Sequence, residues 1–350
     1  MQVAKELIQH FLSKWKEVEM KSRIIITILI MLGLGTHAWA GLDHVGTSVA
    51  NFLKIGVGGR AVAMGDAYTA IAQGPTALYW NVGGLGFEKK MTVDFSYTNW
   101  IFGTSHNFLG VIVPLGDVGT VGLSITTFTS GDIEETTIFK PHGTGRVFSA
   151  SDLSIGLSYA RKLTDRYSFG ITAKYLAEQL SLESASAVAL DIGSIFIVSY
   201  KYNVRMGIVL SNFGSDMQMD GQDLQTSVST DNSKQVEARL KTSPWPLPLI
   251  FKIGVAADLI STNQHRLTLA ADVNDPRDYK ARENLGMEYA FESMFFLRAG
   301  YKFNYDEDTF SAGAGFNYNL KGVGNVKLDY SYSDMGRFNN ISRFSIGISF

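Results

Sequence analysis

The sequence predicts an all-β protein: a transmembrane antiparallel β-barrel of about fourteen strands, with an N-terminal hatch or plug segment inside it. Three observations carry that reading. From about residue 91 onward, short segments alternate apolar and polar side chains and are separated by turn residues, the period-two signature of strands with unlike faces. The connections at one end of these segments are all short, while the other end has two long ones, the asymmetry of outer-membrane barrels. An export leader precedes the array.

Composition narrows the classes first. The chain has 350 residues, 45% hydrophobic and 18% charged, with 12% aromatics. Disorder needs high charge and few aromatics and is excluded. A formal net charge of −2 gives no global attraction to nucleic acid. The absence of cysteine removes disulfides, thiolate catalysis and cysteine-ligated metals together. A helical membrane bundle is excluded because only one stretch, 24–34, is continuously apolar, and it falls short of the roughly 20 residues of a spanning helix.

That stretch reads as the core of a secretory signal. Lys21 and Arg23 precede it, and Thr36-His37-Ala38-Trp39-Ala40 has the small-x-small form of a cleavage site, so cleavage is expected after Ala40. Residues 1–19 form an amphipathic stretch ahead of a more natural start at Met20. The predicted organisation is therefore leader 1–40, hatch 41–90 and barrel 91–350.

Residues 41–90 do not alternate. They are rich in glycine, small residues and short apolar stretches, which suits turns and short helices packed closely against a wall. A barrel of about fourteen strands leaves a lumen that its own side chains need not fill, and this segment is the natural filler.

The fourteen predicted strands are 91–98, 105–115, 119–130, 148–162, 166–180, 187–199, 203–212, 248–259, 264–274, 281–291, 294–303, 309–318, 324–333 and 340–350. If the last strand ends on the periplasmic side, the periplasmic connections are 116–118, 164–165, 200–202, 260–263, 292–293 and 320–323. The outer set includes 131–147 and 213–247. Within strands, the charges Lys174, Arg205, Lys252, Arg298, Lys302, Asp191, Asp258, Asp272, Glu288 and Asp329 oppose the apolar stripe. A soluble sandwich would put that stripe inside, but would need a second sheet to cover it. A lipid-embedded barrel inverts it, with charges lining the lumen. Tyr97, Trp100, Tyr159, Tyr175, Tyr289, Tyr301 and Tyr330 are expected on the outer face, several near strand ends where aromatic belts sit. Closure follows from physics, because an open strand edge in hydrocarbon leaves backbone groups without partners.

The chain ends in an alternating strand with Phe344, Ile346, Ile348 and the terminal Phe350 on one face. This resembles the C-terminal signal read by barrel-assembly machinery. The hatch carries a second resemblance. Gly58, Gly59, Arg60 and Ala61, then Met64-Gly65, Ala67-Tyr68, Ala70, and Ala77-Leu78-Tyr79-Trp80-Asn81 through Gly84-Leu85 are similar to the N-terminal signature of the PorV/PorQ family, itself similar to FadL-type transporters. The usual motif ends Asn-Pro-Ala-Gly-Leu; here Val82 and Gly83 replace Pro and Ala. The resemblance implies a fourteen-stranded outer-membrane barrel with a hatch. On the PorV branch it implies work with type IX secretion subunits and exported cargo. On the FadL branch it implies passage of a hydrophobic ligand. A structural barrel without cargo is the remaining reading.

No catalytic site or cofactor is expected. Gly56-x-Gly58-Gly59 lacks the Gly-Lys-Ser/Thr of a phosphate loop. His106 and His142 lie near outer loops without a nucleophile motif. The lumen charges have two readings, a path for an anionic head group or ion pairs that fasten the plug; their mixed signs favour pairing. Met217, Met219 and Trp245 are greasy for an outer loop, fitted to cap a cargo or to fold over the rim.

Overall fold

The structure, a computed structural model, describes residues 45–199, 201–229 and 235–350. The leader, its cleavage after Ala40 and the start at Met20 lie outside the described residues.

Fourteen long strands form the wall. They are β1 (Thr92–Asn99), β2 (Ser105–Pro114), β3 (Thr120–Glu134), β4 (Val147–Thr164), β5 (Tyr167–Leu180), β6 (Glu183–Ser199), β7 (Val204–Gly214), β8 (Ile250–Ser261), β9 (His265–Pro276), β10 (Arg282–Phe291), β11 (Phe295–Phe303), β12 (Phe310–Leu320), β13 (Gly324–Asp334) and β14 (Asn340–Ser349). Each pairs antiparallel with its neighbours in sequence, and β14 pairs with β1 to close the ring, with Phe95 opposite Ile346 and Tyr97 opposite Phe344. Closure satisfies every edge, as hydrocarbon requires.

Alternation sets the two faces. Leu157, Val188, Leu297 and Phe344 are each about 60% exposed on the outside. Ser168, Thr172, Ser311 and Ser331 are fully buried on the inside. Two strands run further than alternation predicts: β3 continues to Glu134 and β6 begins at Glu183. Their extra residues carry outward Ser184, Ser186, Asp132 and Glu134, so the apolar contrast that marks a strand in lipid is absent where the wall rises beyond it.

The two ends of the ring differ. At one end, Leu115 to Gly119 and Leu320 to Gly324 are tight turns. At the other end stand the extended β3–β4 hairpin and a long excursion between β7 and β8. That excursion adds Asp220–Gly221 to the rim of β6 and raises a separate ribbon, Gln225–Ser229 with Gln235–Arg239.

The main apolar cluster lies inside the ring. Val62, Met64, Tyr68, Leu78, Trp80 and Leu85 pack together with Phe108 and Ile112 of β2. Residues of the N-terminal segment thus supply most of the apolar core, held by the short helices α1 (Gly59–Ala63) and α2 (Ala77–Trp80) and by a 3-10 turn at Val82–Phe87.

Candidate functional site

The N-terminal segment runs the length of the lumen. It begins at the long-loop end, where Val49 N–H donates to the Pro246 carbonyl at 3.1 Å. Ser48 and Lys54 both bond the Asp278 carboxylate. Phe52 and Leu53 pack on Leu176, Ala185, Ala187 and Ala189 of β5 and β6, with Met217 and Leu247 over them. Met217 and Trp245 exchange backbone hydrogen bonds at 2.9 Å, so this part of the loop folds over the rim onto the segment. Leu176, Ala185, Ala187 and Ala189 can be apolar on the inner face because the segment, rather than water, covers them.

Deeper in, glycine allows backbone to meet backbone. Gly65 adopts φ +63°, and a Cβ on Gly300 of β11 would sit 2.0 Å from Gly65 N. Gly65 N–H donates to Ser311 Oγ at 3.0 Å, and Asn284 Nδ2 donates to the Gly65 carbonyl at 2.5 Å. Gly59 N–H donates to Ser345 Oγ at 2.8 Å. Asp272 accepts the N–H groups of Tyr68 and Thr69 at 2.9 and 2.8 Å, so its partner is backbone rather than a cation.

The Asn81 corner closes despite Val82 and Gly83. Asn81 Nδ2 donates to the carbonyls of Thr69 and Ser194 at 2.8 and 3.0 Å, and its Oδ1 accepts Gly83 N–H at 3.0 Å. A Cβ at Gly83 would lie 2.7 Å from Ser194 Cα, so glycine lets the corner rest on the wall. Gly84 passes under the Ala72 carbonyl, 2.1 Å from where its Cβ would be. Trp80 Nε1 donates to the Val57 carbonyl at 2.9 Å, tying α2 back to the stretch just before α1. Leu85 is fully buried beside it.

The lumen charges form local networks. Arg60 of α1 grips Glu288 bidentately at 2.7 and 2.8 Å. Arg298 donates to Glu288 at 2.7 Å and to Asp329 at 2.7 Å. Lys174 pairs with Asp191 at 2.5 Å, and Arg205 with Asp258 at 3.1 Å. Lys302 contacts Asp66 of the segment at 2.5 Å and Asp308 of an adjoining loop at 2.6 Å.

Lys252 stands apart. It is buried and makes no ion pair among the described residues, and its ammonium lies 4.8 Å from the Trp80 ring centroid and 5.8 Å from that of Tyr79. Arg343, which sequence reasoning passed over, behaves alike. It is 2% exposed, donates a long 3.3 Å hydrogen bond to Ser333, and lies 5.4 Å from the Trp100 ring. Its place on the polar face of the last strand was the available signal. Trp100 corrects an expectation: it lines the lumen against Arg343 instead of facing lipid, because the chain leaves β1 before reaching it.

The segment divides the lumen. Toward the long-loop end is a cavity of about 580 Å³, floored by Tyr79 and Trp80 and walled by Phe52, Ile55, Trp100 and Phe128. Toward the short-turn end is a smaller one of about 320 Å³, bordered by Arg60, Arg266, Arg298 and Lys327 with Asp94 and Asp329. In the closing strand, Phe344, Ile346 and Phe350 face outward, Ile348 is half-buried, and Phe350 N–H donates to the Met91 carbonyl at 2.9 Å.

Known structures share this architecture. The chain is similar to the CymD monoaromatic hydrocarbon channel, at 13% identity and a TM-score of 0.57, covering 84% of this chain and 98% of that one. It is also similar to the toluene transporters TodX of Pseudomonas putida and TbuX of Ralstonia pickettii. TodX gives 12% identity, coverage of 83% and 96%, and a TM-score of 0.53. TbuX gives 14% identity, coverage of 84% and 97%, and a TM-score of 0.52. At such identities the likeness is one of fold. Comparison with curated protein sequences finds no match. The family model described as Type IX secretion system protein PorV matches residues 41–275, from the N-terminal segment to the end of β9, and the chain belongs to that family of outer-membrane β-barrels.

Proposed function

We propose that the protein works with the type IX secretion apparatus of the outer membrane, receiving exported cargo at the outer mouth of the barrel. The family match over the N-terminal segment and the first nine strands carries this reading. On it, residues 41–90 are a hatch, the short turns face the periplasm and the long loops face outward. The filled lumen supports work at the mouth over threading of a polypeptide through the ring, since Arg60, Asp66 and Asn81 are each bonded to the wall or its adjoining loops. The outer loops offer apolar contacts for cargo or a secretion subunit. Ile138 and Phe139 are almost fully exposed at the β3–β4 tip, and Phe102 meets Phe338 edge-on at 5.7 Å. Outer-membrane lipid and the barrel-assembly machinery are its other partners.

Deleting the gene tests this. Secreted cargo is expected to accumulate in the periplasm; normal surface display in the deletion strain overturns the reading. A second reading, passage or storage of a hydrophobic small molecule as in the FadL fold, is favoured by the 580 Å³ cavity with its aromatic walls, a size typical of ligand sites. Its test is extraction of the purified barrel and identification of any co-purifying amphiphile.

A further inference from the structure

The short-turn end of the ring carries a charge imbalance that the long-loop end lacks. At the long-loop end, exposed acids and bases balance among the described residues. At the short-turn end, Lys89, Lys90, Arg161, Lys162, Arg166 and Lys201 are all exposed, and the exposed acids on the same side of the ring are Asp117 and Asp165. Across the ring, Lys321 and Glu292 offset each other. The bases are grouped. Arg161, Lys162 and Arg166 flank the turn from β4 to β5, and Lys201 stands on the next turn at that end, from β6 to β7. The N-terminal segment leaves the lumen on this side, since a Cβ on Gly86 would lie 2.9 Å from the Arg161 carbonyl carbon, and Lys89 and Lys90 follow three and four residues later. Glu88 accepts the Gly74 N–H at 2.6 Å and so belongs to the segment rather than to the arc.

Arg161 differs from the rest of the arc. β4 sends Leu157 and Tyr159 outward, and Arg161 is the next outward position, opposite Phe169 of β5. Lys162 pairs with Asp165 at 3.0 Å, whereas Arg161 has neither an ion pair nor a side-chain hydrogen bond among the described residues. A cation on the lipid face is costly at the bilayer midplane and nearly free at head-group depth. Tyr159 marks that depth: its hydroxyl donates to the Val118 carbonyl, in the turn from β2 to β3, at 2.6 Å. Around the guanidinium, Leu115, Val118, Leu163 and Phe169 are exposed. Apolar side chains beside a basic arc make a surface that meets acyl chains and anionic head groups together.

We infer that this arc is a binding surface for an anionic phospholipid of the periplasmic leaflet, with Arg161 on the phosphate, Lys162, Arg166 and Lys201 adding positive field, and Leu163 and Phe169 against the acyl chains. The inference rests on the orientation given under the proposed function, short turns toward the periplasm, and names the class of lipid and its place on the wall. An anionic protein would meet the bases but leave Leu163 and Phe169 uncovered; a lipid uses both parts of the surface.

The test is native mass spectrometry of the purified barrel, in nonionic detergent, with equal amounts of phosphatidylglycerol and phosphatidylcholine bearing the same acyl chains. Retained phosphatidylglycerol is expected to exceed phosphatidylcholine about fivefold, the effect of one basic side chain near an anionic surface. Arg161→Gln is expected to bring the two within about twofold, and Arg161→Lys to keep part of the preference. Lys140→Gln, at the long-loop end, is expected to leave it unchanged. Barrel integrity is read from heat-modifiable electrophoretic migration; if Arg161→Gln does not assemble, Lys201→Gln is read instead and is expected to narrow the preference in the same direction. Equal retention of the two lipids by the parent overturns the inference, as does an unchanged preference in the assembled Gln variant of the arc. An equal loss in Lys140→Gln also overturns it, since net charge rather than the arc then selects the lipid. Orientation has its own readout. The chain has no cysteine, so Asn263→Cys, on the turn from β8 to β9, reports which side that end faces through a maleimide too large to cross the outer membrane. Labelling is expected only after the membrane is permeabilised. Labelling in intact cells overturns the orientation and the leaflet named here, whereas equal lipid retention overturns the lipid site and leaves the orientation standing.

Discussion

Arg60 and Glu288 are joined across the lumen by two parallel hydrogen bonds, 2.7 Å from Nε and 2.8 Å from Nη2, with both side chains buried. One residue belongs to α1 and the other to β10. The fork of a guanidinium matches the two oxygens of a carboxylate, so the pair fixes both the depth and the rotation of the segment. Glu288 also accepts from Arg298 and Arg266, which makes it the hub of a four-residue network.

Removing the hub therefore strands cations. Glu288→Ala is expected to cost about 3–5 kcal/mol, the range for breaking one side of a buried ion pair. Urea unfolding of the purified barrel in detergent measures it. A loss under about 1 kcal/mol contradicts the network.

The crossing of Gly65 over Gly300 leaves no room for a methyl group. Gly300→Ala places a Cβ 2.0 Å from Gly65 N, so the segment must lift from β11 while the strand ladder itself survives. Single-channel recording in planar bilayers is expected to show higher ion conductance for this variant than for the parent, with normal heat-modifiable migration. Unchanged conductance means that the crossing does not seal the lumen.

Asp278, in the loop between β9 and β10, links acid to the latch at the mouth. Burial alone raises its pKa, but the hydrogen bonds from Lys54 and Ser48 outweigh this and lower it below the ordinary value. A carboxylate depressed in the folded state contributes stability above its unfolded pKa of about 3.9, and that contribution is lost as pH falls through the folded value. Hydrogen exchange of the peptide 47–55, corrected for intrinsic rates, is expected to speed up below about pH 4. In Asp278→Asn the exchange should already be fast at neutral pH and should lose this pH dependence.

Loss of Phe350 removes both an exposed aromatic and the backbone bond to Met91. Its deletion is expected to lower the assembled fraction in the outer membrane several-fold while leaving synthesis unchanged, as seen by fractionation and immunoblot. Equal assembly means that the final aromatic is only the end of a strand.

Much of this architecture was legible because lipid imposes a simple code. Where β13 alternates Leu328 and Tyr330 outward with Asp329 and Ser331 inward, period two gives both the strand and its orientation. The code weakens where a strand leaves the lipid, which is why the rims of β3 and β6 were read short. It also fails where protein rather than water fills the lumen: Leu176, Ala185 and Ala187 face inward because Phe52 and Leu53 cover them. The inward position of the charges was readable from the strands, but their partners were not. Lys302 pairs with Asp66, 236 residues away in sequence, and Asp272 meets backbone amides, neither of which any strand pattern encodes. That Arg343 meets Ser333 and Trp100 but no carboxylate among the described residues is visible only in three dimensions.

The path of the N-terminal segment has a consequence for biogenesis. Val49 lies beneath the long loops, Met91 at the opposite rim, and fourteen strands encircle everything between. The seam joins β1 to β14, whose residues are made after the segment and the other thirteen strands. Were the cylinder to seal empty, the leading stretch would have to be threaded afterwards through a finished ring. Seating the stretch while the sheet is still a curled ribbon avoids this, and makes the final zippering of the seam the step that locks contents and container together.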